Sequence, residues 1–373
     1  MMKHFVVGLV FLMTAFAGAC RPATTPEAVS PTSIPSSPTP TTAAATPTDV
    51  PPATATAAPT PSATPAPTLD PTAVVEAIQQ GQTAIESRVG EPLCLRWEDT
   101  DDDGEPEWVG LYLRPTEPPR LEGFVLDGDA WYRLTPPPED EQGMGRYPTC
   151  RLEVRDVNED GSTELLVWGH TTGNVDLLHV FVWREASYAL LASSRGDAGV
   201  DVVEINGDLS QEIVARYDAG DGLAWEQVHT WDGSHYGWTW ERYGWLYADH
   251  PHAYPTHSPA RVVISLYLAL NDRDLPAAHD LLSPTAQASQ PYEGWAAGFD
   301  TMLAVEVGSV HEIERVEGRA TVTALVRSYD NLEGYVIGRL WDVTWSVVLV
   351  DGAWQLERGE SELLNRWEAV YFP

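Results

Sequence analysis

Three stretches of the chain place similar residues at the same distances, and this threefold spacing constrains the fold more than any other feature. Counting from Asp99, Asp156 and Glu204, the ninth residues are Glu107, Glu164 and Glu212. The twenty-eighth are Leu126, Trp183 and Trp231, and the thirty-third Trp131, Tyr188 and Tyr236. Each stretch opens on alternating oxygen side chains: Asp99-Thr100-Asp101-Asp102-Asp103-Gly104, Asp156-Val157-Asn158-Glu159-Asp160-Gly161 and, in weaker form, Glu204-Ile205-Asn206-Gly207-Asp208. Each unit reads as a strand, an acidic loop, a strand and a hairpin, with its turn at Asp127-Gly128, Arg184-Glu185 or Asp232-Gly233. The starts lie 57 (156 − 99) and 48 (204 − 156) residues apart, which suits small β-sheet blades or stacked β-units.

Alternate carboxylates around a glycine bend suit a hard cation, because calcium takes six to eight oxygen ligands in a flexible cage. Asp, Asn and Gly are equally good turn formers without any ion. Over residues 91–250 the chain resembles the FG-GAP and VCBS repeat family, integrin-α-like blades whose Asp-x-Asp/Asn-x-Asp-Gly loops bind calcium. The resemblance implies a propeller-like, all-β domain of three modules (about 91–149, 150–197 and 198–250) with calcium as a structural cofactor. Its side-chain ligands would be Asp99, Asp101 and Asp103 in the first loop and Asp156, Asn158 and Asp160 in the second. In the third they would be Glu204, Asn206 and Asp208, a weaker set, since Glu204 is longer than Asp and Leu209 replaces the turn glycine. Family propellers usually close with more than three blades, so this chain must leave the ring open, recruit other strands or stack its sheets differently.

The N-terminus has the layout of an export signal: Lys3, an apolar run from Phe5 to Phe16, then Ala17-Gly18-Ala19 before Cys20. Small residues directly before a cysteine resemble the lipobox of bacterial lipoproteins. That resemblance implies removal of residues 1–19, lipid on Cys20, and an extracytoplasmic protein anchored to a bacterial membrane. Residues 20–69 are mostly Pro, Thr, Ala and Ser, with too little apolar surface to offset the entropy of ordering, and are expected to form a disordered tether. A formal net charge of −33 argues against nucleic acid as a partner. Lys3 is the only lysine, which removes P-loop and Schiff-base chemistry from the folded part. Oxidising surroundings make a Cys94–Cys150 disulfide the expected state of the remaining cysteines, which precede Asp99 by five and Asp156 by six residues.

A helix is expected over residues 70–90, starting at Asp70-Pro71, with Val74, Ile78, Ile85 and Val89 on one side as a cap for the first module. Trp231, Tyr236, Trp238, Trp240, Tyr243, Trp245 and Tyr247 form an aromatic run whose alternation favours core packing over a sugar-binding face. Asp249, His250, His252 and His257, broken by Pro251 and Pro255, read as a linker. From Ser258 a capped helix (260–270) and helical segments at 275–282 and 292–299 precede strands at 303–310, 319–328, 335–350 and 354–357, an α+β pattern. This order, over 258–373, resembles the SnoaL-like superfamily of nuclear transport factor relatives. It implies a cone-shaped fold with a pocket, for which Tyr267, His279, Tyr292 and Trp295 are candidate lining residues. No residue is assigned a catalytic role. The chain is therefore expected to be a lipid-anchored binding or scaffold protein for a protein or glycan, without catalysis of its own. The alternative is an exported isomerase, dehydratase or hydrolase that uses the last domain's pocket.

Overall fold

The computed structural model describes residues 71–137, 143–206, 208–247 and 253–369. The leader with Cys20, the tether, Asp70, Gly207 and Asp249, His250 and His252 lie outside the described residues. The described residues are mostly β: among them sixteen strands form four antiparallel four-stranded sheets, each a simple meander in sequence order.

The first sheet joins β1 (Cys94–Glu98), β2 (Glu107–Arg114), β3 (Arg120–Asp127) and β4 (Ala130–Leu134). The second joins β5 (Arg151–Arg155), β6 (Glu164–His170), β7 (Asp176–Arg184) and β8 (Ser187–Gly196). The third joins β9 (Gly199–Val203), β10 (Glu212–Gly220), β11 (Leu223–Trp231) and β12 (Tyr236–Trp245). In each, the acidic loop connects the first two strands, and the last two strands meet at the hairpin expected from sequence.

Why the sheets stack follows from their alternation. In β6, Leu165 and Val167 pack with Val109, Leu111 and Val125 of the first sheet, while Leu166 and Trp168 pack with Val200, Ile213 and Ala215 of the third. A strand buried on both faces has no polar side to show, which is why β6 reads as a continuous apolar run. In β10, Ile213 and Ala215 face the second sheet and Val214 faces the other way, with Val228 and Trp240.

That far face is met by a fourth sheet of β13 (Met302–Val316), β14 (Arg319–Leu332), β15 (Tyr335–Val350) and β16 (Ala353–Ala369), through Leu325 and Leu340. Approach is close: a Cβ on Gly308 would stand 2.1 Å from the Glu241 carbonyl oxygen. On the opposite face of the fourth sheet, Ala320, Val322, Ala324 and Val326 pack on α2 (Pro259–Asn271), whose Val263, Leu266, Tyr267 and Leu270 are buried. The outer face of the first sheet is covered by α1 (Pro71–Val89), where Ile85 meets Trp108, Phe124 and Leu126. The sheets form an open stack with a helix at each end, and do not close into a ring.

After α2 come α3 (Leu275–Asp280), α4 (Pro284–Ser289) and α5 (Tyr292–Ala296), the last continued by a 3₁₀ turn at Ala297–Phe299. Sequence reasoning overlooks α4, whose Ser283 accepts from the Ala286 N–H as an N-cap before Pro284. It also ends the last strand too early. β16 pairs with β15 as far as Ala369, because its polar stretch lies on an edge where both faces are open to water. In this part of the chain the helices precede an antiparallel meander. A cone-shaped SnoaL-like fold is a finer statement than this topology makes.

Cys94 and Cys150 form a disulfide with Cα atoms 5.7 Å apart, tying β1 to the segment entering β5. No helix among the described residues is long and apolar enough to cross a membrane.

Candidate functional site

The three acidic loops share one backbone design. Asp99 accepts the N–H groups of Asp102 (2.9 Å) and Gly104 (3.0 Å), and Asp156 those of Glu159 (2.7 Å) and Gly161 (3.0 Å). Side chains at the third position accept N–H groups two residues on, Asp101 from Asp103, Asn158 from Asp160 and Asn206 from Asp208, and those at the fifth do the same, Asp103 from Glu105, Asp160 from Ser162 and Asp208 from Ser210. Such turns curl the chain so that alternate side chains point inward.

The sixth position has positive φ in every loop: +89° at Gly104, +86° at Gly161 and +76° at Leu209. Leu209 thus keeps the bend that its sequence argues against. It does so in a conformation unfavourable to a side chain, and its side chain is 67% exposed.

The ninth-position glutamates are the parts whose role sequence leaves open. Glu107, Glu164 and Glu212 are 2%, 0% and 1% exposed. Each accepts the N–H of its loop's second residue: Thr100 at 2.7 Å, Val157 at 2.9 Å and Ile205 at 2.9 Å. Asn158 and Asn206 also donate their side-chain amides to Glu164 (3.0 Å) and Glu212 (2.5 Å). Burial pushes Glu107 up from its ordinary range, and Glu164 and Glu212 up to about 7.

The loops are wired to one another. Thr163 donates its N–H and hydroxyl to Asp102 at 3.0 and 2.8 Å, joining the second loop to the first. Ser210 Oγ donates to the Asn158 carbonyl at 3.2 Å, and the Gln211 N–H to the Val157 carbonyl at 2.7 Å, joining the third to the second. The Tyr188 hydroxyl lies 2.5 Å from Thr100 Oγ1, so the second sheet reaches into the first loop. Tyr236 holds the equivalent position in the third sheet and feels the charges of Glu164 and Glu212.

Oxygen donors converge most in two of the loops. One carboxylate oxygen from each of Asp99, Asp101, Asp103 and Glu107 lies within 4.8 Å of the others, and so do those of Glu204, Asp208 and Glu212. Ligands at about 2.3–2.6 Å on opposite sides of a calcium ion are about 5 Å apart, so both sets fit a cation of that size. The donors are all hard oxygens. Burial, and after it the charges of Asp103, Asp127 and Asp99, push the Asp101 carboxyl above its ordinary range, a cost that a bound cation would remove. In the second loop Asn158 takes a central place, its amide donating to both Glu164 and Asp160 (3.3 Å).

The four pocket candidates do not form one group. His279 lies 5.5 Å from the Tyr292 ring and 5.2 Å from the Trp295 ring, and its Nε2 is 3.0 Å from the Gln290 carbonyl. Tyr267 is buried in the α2 core, where its hydroxyl accepts from Trp345 Nε1 at 3.1 Å. It lines a cleft of about 380 Å³ with Asp272, Arg242 and Glu306, to which His279, Tyr292 and Trp295 do not contribute. Of the aromatic run, Tyr236 and Trp240 are core residues, while Trp238 and Tyr247 are exposed. His257 lies beside Asp221 at 3.5 Å.

No family model matches the chain, and no curated protein does. Among solved structures, RPA3114, a SEC-C motif containing protein from Rhodopseudomonas palustris, is 17% identical. The match covers 28% of this chain and 80% of that one, at a TM-score of 0.24. Bd1075 from Bdellovibrio bacteriovorus is 9% identical over 57% of this chain and 94% of that one, at 0.23. Scores of this size carry no argument about fold or chemistry.

Proposed function

We propose that the chain is a lipid-anchored extracytoplasmic binding or scaffold protein, held to a bacterial membrane through Cys20. In this reading its FG-GAP/VCBS-like modules are stabilised by calcium, and a SnoaL-like domain completes the binding body for a protein or glycan. The observation that carries the metal part is the wiring of the loops. An ion held by Asp99, Asp101, Asp103 and Glu107 would touch the carboxylate to which Thr100 donates, and Thr100 in turn meets Tyr188 of the neighbouring sheet. Binding there stabilises the relation between sheets as well as one turn. The ion's role is structural: it neutralises clustered carboxylates and keeps the stack in register.

The test is calorimetry with calcium, together with thermal melts in calcium and in chelator. A ligand present at about 100 times its Kd adds about 2.7 kcal/mol to stability, so a clear rise in Tm is expected. No binding heat and no shift in Tm would overturn the metal component. Co-purification of a protein or glycan from membranes without crosslinking tests the scaffold component.

A further inference from the structure

The first sheet carries a second chemistry on its outer face, beside the last turn of α1. Tyr112 and Glu122 stand directly opposite each other there, as do Arg114 and Arg120. Arg133 of β4 joins them, and Arg88 in the last turn of α1 places its guanidinium 4.4 Å from the Trp131 ring centre. Arg88, Tyr112, Arg114, Glu122 and Arg133 line an open cleft of about 670 Å³. Three guanidiniums against one carboxylate leave 3 − 1 = +2 in the cleft, in a chain whose net charge is −33.

Holding Glu122 does not account for so many arginines. Its carboxylate accepts from Tyr112 on Oε2 at 2.5 Å, and from both Arg133 (2.6 Å) and Arg114 (3.3 Å) on Oε1. Two guanidiniums therefore share one oxygen. Each uses one of its five N–H donors on Glu122, and each of the two side chains is 51% exposed. Arg88 has no carboxylate partner among the described residues. Arg114 opposite Arg120 is a like-charge cross-strand pair, an arrangement that destabilises a sheet when nothing lies between.

The blade design does not demand this cluster either. At the offsets of Tyr112, Arg114, Glu122 and Arg133 from the loop start, the second module carries Gly169, Thr171, His179 and Leu190. The third carries Tyr217, Ala219, Gln227 and Trp238.

We propose that this cleft binds an oxyanion of the phosphate or sulfate class. Two negative charges match the cleft's surplus, and the free guanidinium forks match the geometry of a tetrahedral oxyanion. The group arrives either as a free ion or as a monoester on a larger molecule. The site shares no residue with the acidic loops, so its test is separate from the calcium reading.

The experiment is calorimetric titration of the full chain, freed of divalent cations by chelator, with inorganic phosphate, inorganic sulfate and glycerol phosphate. Saturable binding is expected with at least one anion, weakening as salt rises and the screening length shortens. Arg88→Gln alters an exposed helix position and leaves the Glu122 contacts intact; it is expected to weaken binding about fivefold, the loss of one charge-assisted contact. Arg88→Gln with Arg114→Gln is expected to abolish binding, with anion-free melts confirming that both variants fold. Tighter binding of glycerol phosphate than of phosphate identifies an ester on a larger molecule, and equal or weaker binding a free ion. Absence of heat with all three anions, or unchanged affinity in folded Arg88→Gln and in the double variant, overturns the proposal.

Discussion

The Tyr188 hydroxyl, 2.5 Å from Thr100 Oγ1, closes a buried polar chain that starts on one sheet and ends in the loop of the next. Thr100 passes the contact on by donating its hydroxyl to Glu107 at 2.7 Å. Burial raises the Tyr188 phenol well above its ordinary range, so it remains a neutral donor at all physiological pH. Tyr188→Phe keeps the ring packing on Tyr132 and Trp183 and removes only the oxygen. A loss of about 1–2 kcal/mol is expected from urea unfolding. An unchanged midpoint would show that the chain does not couple the sheets.

Leu209 adopts φ +76° where Gly104 and Gly161 stand in the other loops. Leu209→Gly relieves a conformation that costs a side chain about 1–2 kcal/mol, partly offset by the greater freedom of glycine when unfolded. A net gain of about 0.5–1 kcal/mol is expected by thermal melt. A loss would mean that the exposed leucine makes contacts that outweigh the strain.

The loop carboxylates separate into two groups by what they already hold. Asp156 accepts three backbone N–H groups, those of Asn158, Glu159 and Gly161, so Asp156→Ala is expected to lower stability in calcium and in chelator alike, by about 1–3 kcal/mol. Asp101 accepts one N–H at 3.2 Å, which an asparagine oxygen can also accept. Asp101→Asn is therefore expected to remove only the calcium-dependent part of the stabilisation. Paired melts in calcium and chelator distinguish these outcomes.

Glu226 sits between two arginines, accepting from Arg216 and Arg242 at 2.8 Å each, and Arg242 continues to Glu306. Burial opposes the Glu226 charge, but Arg242 and Arg216 outweigh it and hold its carboxyl below the usual range. A depressed folded-state pKa contributes stability that is complete above the unfolded value, near 4.5, and is lost as pH falls through the folded one. Glu226→Gln is expected to cost about 1–3 kcal/mol at neutral pH, since Arg242 keeps Glu306 and Arg216 keeps Asp201, and to flatten the acid limb below pH 4.5. An acid limb identical to that of the parent would remove Glu226 from the account.

The Cys94–Cys150 bond spans a sequence separation of 56 residues. Chain-entropy estimates for a loop of that length give about 4 kcal/mol, so the double Cys→Ser variant is expected to lose close to that amount in denaturant unfolding. A loss below about 1 kcal/mol would show that the unfolded chain is already constrained in this region.

Much of this architecture can be read from spacing, because spacing records contacts that recur. The fixed step from Asp99 to Glu107, and its two copies, marks a glutamate that folds back on its own loop. The step to Tyr188 marks a ring that reaches the loop of the neighbouring sheet. Which of these residues would be buried is harder to see, since a glutamate opening a strand looks the same whether it faces water or a backbone N–H. The fourth sheet's docking on Trp240 leaves little trace, because β12 alternates as it would under any apolar cover. The arginine cleft is legible only by contrast with the other two modules, since each arginine alone reads as a solvated surface residue. The pocket candidates separate because Tyr267 lies on α2, which faces the sheet, while Tyr292 and Trp295 lie on a later helix beside His279.

An open stack also changes what the number of modules means. In a ring the angle between neighbours dictates how many units there must be, and a unit too few leaves a gap. Here each sheet answers only to the ones beside it, while α1 and the fourth sheet with α2 finish the two ends. Modules could therefore be gained or lost from the middle without reshaping those that remain, whereas the terminal covers could not be dispensed with. Length in this architecture is adjustable; its ends are not.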